Sequence, residues 1–468
     1  MTLSQILIFA ALGLLAGRFY KRVDRGWLLF VVSVLAVFWL QPASLVRNLP
    51  FVLPVFSLGL SVLVWVLTLP QEKKVNRTDW WATGILGGSI LLVSAARFVE
   101  PLSALFAVRP PSLDFALILI LVLALIAFFL FWVGRGENLI LNFVALLIIA
   151  ILVVLKSPPL AQVANGLMRS LSGQDPTLAS PLDFGWLGFS YIAFRLIHVL
   201  RDRVSGRLPT ISLRDFVTYI VFFPSLTSGP IDRVERFTPQ LQGEFLLTSD
   251  QLLAAGTRML LGLFMKFVLA DALAFFALNA TNAWQVKSAG WMWVLLVAFS
   301  LRIFFDFAGY THIAIGLGLL FGLVLPENFD RPYLKQNITL FWNSWHMTLT
   351  QWVRSYYFNP ITRWLRERKT PMLFLIFFGQ LTTMVLIGLW HGITINFIAW
   401  GLWHGGGLFI HNQWSTFAKT RSIAIPASIA NPLGILVTFT FITFGWIWFA
   451  LPQPADATHV IGVLFGGN

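Results

Sequence analysis

The sequence DFALILILVLALIAFFLFWV (114–133) holds twenty residues, of which Asp114 alone is charged. A helix that crosses a membrane needs about 20 mostly apolar residues, and this run meets that length. The whole chain has the same character, because 57% of its 468 residues are apolar and only 11% are charged. Soluble domains carry roughly 25% charged residues. The sequence therefore predicts an all-α polytopic membrane protein.

Similar apolar runs fill the first half of the chain, and the basic content of the loops between them alternates. Lys and Arg collect in loops 18–26, 70–79 and 201–214, whereas the loops between these hold fewer. The exception to the alternation is the very short loop 134–136, which has only Arg135. Because basic loops stay in the cytoplasm, we expect these loops inside and the N-terminus outside. The other candidate spans are 3–17, 27–42, 50–69, 80–96, 137–155 and 183–200.

The composition also limits the classes of function. The chain has no Cys, which excludes disulfides, thiolate metal sites and a cysteine nucleophile. Its net charge of +13 comes from Lys and Arg in short loops. We therefore expect those residues to face the headgroups of a lipid bilayer, and we do not expect nucleic acid as a partner.

The second half of the chain is less regular. Residues 216–225 are apolar but too short to span, and segment 336–358 is amphipathic and rich in Trp. Irregular backbone at membrane depth is tolerated where it packs in protein or lines a wet cavity. We therefore expect about 11 transmembrane helices, with re-entrant or half-spanning segments in the second half. The longer apolar stretches there are 251–280, 290–325, 372–412 and 430–451.

Three histidines, His346, His391 and His404, lie in apolar or aromatic surroundings. A lone His among aromatic residues is more often a packed core residue than a catalyst, but ionisable residues inside a membrane also mark function. His391 lies deep in its apolar run and precedes Gly392, which allows backbone or substrate to come close. Desolvation favours the neutral imidazole that a general base needs. His391 is therefore the first candidate for catalysis.

The spacing of the polar residues does not favour a metal site. His391 and His404 would lie about 220° apart on one continuous helix, so we expect no shared metal and predict none elsewhere. Arg302 and Asp306 stand four residues apart and are interpreted as a charge pair or as a polar cavity wall. His198 and Asp202 have the same spacing and are interpreted as an interfacial pair.

Four blocks of sequence resemble a known family. They are GFSYIAF (188–194); FFPSLTSGPIDR (222–233); FDFAGY (305–310) with PENFDRP (326–332) and FWNSWHMTLTQWVR (341–354); and GLWHG (388–392) with WGLWHG (400–405). In this order and at these separations they resemble the membrane-bound O-acyltransferase (MBOAT) family. The resemblance is to its bacterial branch of alginate O-acetyltransferases and the D-alanyl-transfer protein of teichoic acid modification. Residues 1–180 match in hydropathy only.

The resemblance implies tilted helices around a central funnel, with His391 as the main catalytic residue and His346 as the second functional position. Ser355 stands where the branch often has Asp, which weakens a catalytic role for that position. The implied division is an N-terminal scaffold over 1–182, a catalytic core over 183–450 and a tail over 451–468. The predicted substrate-binding residues are Trp345, Asn343, Trp390, Arg354, Asp306, Tyr310 and Asn328.

The resemblance further implies an O-acyltransferase of the plasma (inner) membrane with no bound cofactor. An acetyl or D-alanyl group would pass from a cytoplasmic thioester, on a carrier protein or acyl-CoA, to a hydroxyl of a cell-envelope glycopolymer or glycolipid. Accessory envelope proteins are expected as further partners. The alternative is a transporter or flippase that binds substrate through intramembrane His and Arg. It is disfavoured because transporters often repeat their broken helices in both halves, whereas here they lie in one.

Overall fold

The computed structural model describes residues 1–18, 24–423 and 425–467, and helices account for the regular structure of these residues. The helices of the first half follow the predicted apolar runs closely, although the run at 183–200 begins later, at Phe189. They are α1 (Leu3–Arg18), α2 (Arg25–Trp39), α3 (Leu49–Thr68), α4 (Arg77–Ala95), α5 (Glu100–Ser103), α6 (Leu113–Val133), α7 (Asn138–Lys156), α8 (Pro158–Leu171), α9 (Phe189–Val204), α10 (Leu213–Ile220) and α11 (Val234–Gln242).

The second half contains the interruptions that the sequence predicts. Two helices pass through π-helical turns, at Met265–Ala270 and Arg354–Phe358, and the stretch 372–412 forms a helical hairpin. The helices are α12 (Ser249–Phe264), α13 (Asp271–Ala274), α14 (Ala280–Gln285), α15 (Ala289–Leu320), α16 (Ile338–Trp342), α17 (Met347–Val353), α18 (Asn359–Glu367), α19 (Met372–His391), α20 (Ile395–Thr420), α21 (Ala427–Ala450) and α22 (Pro454–Leu464).

Among the described residues, eight helical segments are long and apolar enough to cross a membrane, and α1 and α2 are shorter apolar helices. Only 6% of the most apolar 18 residues of Leu113–Val133 are buried inside the protein, against 72% for Leu49–Thr68. A helix with so much exposed apolar surface would be unfavourable in water and is stable in lipid. The predicted all-α polytopic membrane fold is confirmed.

The chain forms two compact units. The first contains residues 1–259 and 314–325, and the second contains residues 260–313 and 326–468. The long helices α12 and α15 each contribute residues to both units. The predicted division into a scaffold, a catalytic core and a tail is a separate hypothesis about function.

In the first unit, the loops that are rich in Lys and Arg lie together. Arg135 donates hydrogen bonds to the carbonyl oxygens of Gln71 and Lys73. The Leu213 amide donates to Asp79 at 2.8 Å, and Asp24 lies 3.6 Å from Arg214. The short loop at Arg135 was an exception to the alternating pattern because it holds a single basic residue. Its hydrogen bonds place it with the other basic loops at one end of the unit.

The less basic loops of the first unit also contact one another. Ser44 donates to the carbonyl oxygen of Asp183 at 3.0 Å, and the Arg47 amide donates to Gln174 at 2.8 Å. A small pocket lined by Gln41 and Pro110, among others, brings loop 97–113 to the same group. The grouping of the loops at two ends agrees with the alternation that the sequence predicts.

In the second unit, glycines hold α19 and α20 together as a tight antiparallel hairpin. A Cβ atom at Gly401 would lie 2.5 Å from the Cα of Val385, and one at Gly405 would lie 2.8 Å from the Cα of Leu381. A Cβ at Gly388 would overlap the carbonyl oxygen of Phe397. Small residues four apart allow membrane helices to approach closely, where van der Waals packing stabilises them. The repeated GLWHG sequences thus supply the hairpin's contact surface.

This packing gives a direct test. We expect Gly401→Ala to lower the thermal stability of the purified protein, because its methyl group meets the α19 backbone and overpacking typically costs about 1–3 kcal/mol. Gly406→Ala is the matched control, since a Cβ there meets nothing within 4 Å. Thermal unfolding in detergent should show a lower midpoint for the first variant and an equal or higher one for the second. Equal midpoints would contradict the close packing.

Candidate active site

His391 is the last residue of α19, where the helix ends at Gly392 with extended backbone (φ −178°). Its ring is half-buried among aromatic side chains. The centroid distances are 4.4 Å to Trp390, 4.8 Å to Phe449 and 5.8 Å to Phe397. The break after His391 places its imidazole at the turn of the hairpin, half-buried among these rings.

His346 lies just before α17 in left-handed backbone conformation (φ 43°, ψ 53°). It is buried, with 4% of its surface exposed. Its ring packs edge-to-face against Phe307 at 4.7 Å and lies 6.1 Å from the Trp390 ring. Trp390 is therefore a neighbour of both His346 and His391, and the structure brings these three predicted site residues together.

The electrostatic state of His346 follows from its burial. Burial among apolar and aromatic side chains disfavours the charged form, so the imidazole is neutral. Neither ring nitrogen has a hydrogen-bond partner among the described residues. A neutral imidazole has one N–H donor and one acceptor nitrogen. The His346 ring therefore keeps one donor and one acceptor available for a hydrogen bond.

Asn328 holds the backbone around His346 in place. Its side-chain oxygen accepts from the Thr348 hydroxyl at 2.6 Å and from the Thr348 amide at 3.3 Å. Its backbone carbonyl accepts from the Met347 amide at 3.0 Å. Asn328 is fully buried. The bonds on the two residues after His346 support the unusual backbone conformation there, so the geometry favours a positioning role for this predicted substrate-binding residue.

Trp345 belongs to an aromatic cluster next to His346. Its ring stacks on Phe341 with centroids 5.5 Å apart, and lies 5.1 Å from Phe329 and 5.4 Å from Trp446. Trp345 is buried, with 5% of its surface exposed. This cluster packs beside His346 and fixes the position of the short segment that holds both residues.

Asn343 and Arg354 form a more accessible polar pair. The Arg354 guanidinium donates to the Asn343 side-chain oxygen at 2.7 Å, and both residues are exposed. Arg354 begins a π-helical turn, a distortion that often occurs at functional sites. An exposed guanidinium of this kind can bind an anionic or carbonyl group of a substrate.

Asp306 and Tyr310 lie one turn apart on α15. The sequence paired Asp306 with Arg302, but that interpretation was wrong, because Asp306 pairs with Lys266 in the π-helical turn after α12. Close contact between Gly262 and Gly309 brings the two helices near enough for this. Tyr310 is buried. Asp306 is exposed, so the ion pair remains accessible.

His404, from the second GLWHG copy, has a different environment. It lies inside α20, is fully buried, and packs on Trp400 at 4.7 Å and Trp342 at 5.2 Å. A Cβ at Gly445 would lie 2.6 Å from its Nε2. This close packing leaves no room for a substrate, which favours His391 as the functional copy.

The structure also forms a cluster that the sequence analysis did not identify. Among the described residues, His198, Asp202 and Glu235 are the group of His, Asp and Glu side chains close enough to share a metal ion. The spacing of His198 and Asp202 was noticed, but Glu235 lies on another helix. No periodicity of the sequence indicates that contact.

Comparisons with known proteins agree with the four blocks. The sequence model of the membrane-bound O-acyltransferase family matches residues 114–451. A probable alginate O-acetylase of Pseudomonas fluorescens is 34% identical over 281 residues, which are 60% of this chain and 53% of that protein. A teichoic acid D-alanyltransferase of Bacillus subtilis is 31% identical over 271 residues, 57% of this chain and 68% of that protein.

A peptidoglycan O-acetyltransferase of Helicobacter pylori is 33% identical over 286 residues, which are 58% of this chain and 52% of that protein. The chain thus spans about half the length of the two O-acetyl-transferring relatives and about two thirds of the D-alanyltransferase. The family match includes His346, His391 and every residue described around them.

The support that Asn328 gives to the His346 segment is testable by a double-mutant cycle. Asn328→Ala removes the acceptor for two Thr348 donors and should cost about 1–3 kcal/mol, whereas Thr348→Val removes one donor and should cost less. The double variant should lose less than the sum, because the two residues share one interaction. Thermal unfolding of all four proteins measures this, and strictly additive losses would exclude the bracing role.

Proposed function

The chain belongs to the membrane-bound O-acyltransferase family, and we propose that it transfers a short acyl group, acetyl or D-alanyl, to a hydroxyl of a cell-envelope glycopolymer or glycolipid. The proposal is supported by relatives named as transferring acetyl to alginate or peptidoglycan and D-alanine to teichoic acid. The donor is a cytoplasmic thioester, on an acyl carrier protein or on CoA, and no cofactor remains bound.

The arrangement of His391, Trp390 and His346 supports this reaction. A hydroxyl with a pKa of about 16, like that of water, is a poor nucleophile. His391 acts as the general base and takes the hydroxyl proton as the oxygen attacks the thioester carbonyl. The carbon–sulfur bond then breaks, and the thiolate leaves and takes up the proton. Direct transfer is the simplest mechanism for this reaction, and a transient acyl-Ser or acyl-Thr intermediate is the alternative.

His346 has the complementary role in the proposal. Negative charge builds on the carbonyl oxygen during attack, and a preorganised donor there stabilises the transition state. A neutral His346 with an unpaired N–H in a buried site is suited to donate that hydrogen bond. The contact of the Trp390 ring with both His346 and His391 is the observation that carries the proposal.

We place the protein in the plasma (inner) membrane with the N-terminus outside. The end of the first unit that gathers the basic loops then faces the cytoplasm, as the positive-inside rule requires. In this orientation the acyl donor arrives from the cytoplasm and the acceptor lies on the outer side. Accessory envelope proteins would present or receive the polymer there.

The measurement is the amount of ester-bound acyl group that mild base releases from the envelope polymers of cells lacking this protein. The native chain should restore the ester, whereas His391→Ala, equally abundant in the membrane, should lower turnover by about 10²–10⁴-fold. His346→Ala should also lower turnover, since the oxyanion loses its donor.

His411→Gln is the matched control on α20, seven residues beyond His404 in the chain and outside the proposed machinery. It should restore the native amount of ester. Full ester formation in cells that carry His391→Ala would contradict the proposed catalytic role of His391. Substrate uptake without any ester formation by the native chain would instead favour the transporter hypothesis.

A further inference from the structure

His198, Asp202 and Glu235 converge at the end of the first unit that gathers the basic loops. His198 and Asp202 are four residues apart on α9, so their side chains share one helix face. Glu235 comes from the first turn of α11. His198 Nε2 lies 3.3 Å from Asp202 Oδ2 and 3.4 Å from Glu235 Oε2. One nitrogen therefore faces a carboxylate oxygen from each of two helices.

These separations match the geometry of a metal site. Zinc binds imidazole nitrogen and carboxylate oxygen at about 2.0–2.1 Å in a tetrahedron. Two ligand atoms at that radius and the tetrahedral angle lie about 3.3–3.4 Å apart, because the edge of a tetrahedron is about 1.63 times its radius. Both measured separations fall in this range, and all three ligand atoms lie within 4.8 Å of one another.

The surroundings of the cluster also resemble those of a metal site. Asp202 is buried, and Arg207 donates to its other oxygen, Oδ1, at 2.6 Å. Carboxylates that bind metals are commonly held in this way by an outer hydrogen bond. The Arg207 bond fixes the carboxylate so that Oδ2 points at His198.

Glu235 brings a carboxylate from the second helix. Its Oε2 atom is buried and faces His198 Nε2 at 3.4 Å. Buried charges are normally paired or bound to metal, and one ion between these atoms would bind both. The rest of the side chain is 37% exposed, which gives an ion a path to the cluster.

We propose that His198, Asp202 and Glu235 bind one divalent transition-metal ion, with Zn²⁺ the best match to one imidazole and two carboxylates. The ion ties α9 to α11, and water completes its fourth position. The site lies in the unit that does not contain His391, so it stands independently of the acyl-transfer proposal. It replaces the sequence-based expectation that the chain has no metal site.

The test uses the full chain, purified in detergent through a tag without histidine and stripped with a chelator that is then removed. Co²⁺ should produce the visible absorption of a tetrahedral site and should saturate at one ion per chain. Zn²⁺ should displace it and raise the thermal unfolding midpoint. These readouts do not depend on enzymatic activity.

Glu235→Gln keeps the size of the side chain at a partly exposed position and should weaken Zn²⁺ binding at least about tenfold, since even outer partners of metal ligands cost 10–100-fold. Asp202→Asn should do the same. Glu244→Gln, an exposed position just beyond α11, is the matched control and should bind as the native chain does. Native protein that takes up neither ion, or binding unaffected by Glu235→Gln, would overturn the proposal and leave the cluster as a set of direct contacts between side chains.

Discussion

A bilayer offers the backbone no hydrogen-bond partners, so every break in a helix at membrane depth must be satisfied by the protein itself. In the first unit, the break between α10 and the turn at 223–225 is satisfied by one buried side chain. Arg195 donates to the carbonyl oxygens of Tyr219, Ile220 and Ser225, and to the Ser225 hydroxyl. The carbonyl dipoles stabilise this buried cation, and the cation in turn satisfies carbonyl oxygens that the break leaves without helical partners.

The second unit meets the same constraint with a neutral residue. The segment before α17 turns sharply at His346, and Asn328 accepts from the two amides that follow. A carbonyl acceptor satisfies donors here, as a guanidinium satisfies acceptors in the first unit. The irregular segment around His346 is thus supported by a polar group that need not touch a substrate. The proposed reactive geometry depends on this support as well as on the two histidines.

Local pattern was enough to predict the membrane spans, the alternation of the loops and the interrupted second half, because hydropathy and helix length act within about 20 residues. Local pattern could not predict that Asn328 supports the backbone, because its partner Thr348 follows 20 residues later. It also paired Asp306 with Arg302 instead of Lys266. Glu235 was missed for the same reason. Contacts between helices depend on which helix faces meet. Here glycines allow particular faces to approach closely, as Gly262 and Gly309 do.

The two GLWHG copies show why a motif alone does not specify a site. Both glycine pairs serve the α19–α20 hairpin, yet the histidines differ in backbone context. His391 ends a helix at an extended Gly392 and stays half-buried, whereas His404 continues a helix and is sealed against Gly445. A general base must reach the proton that it removes, so access selects between identical sequences. The end of a helix, rather than the residue type, makes His391 the candidate base.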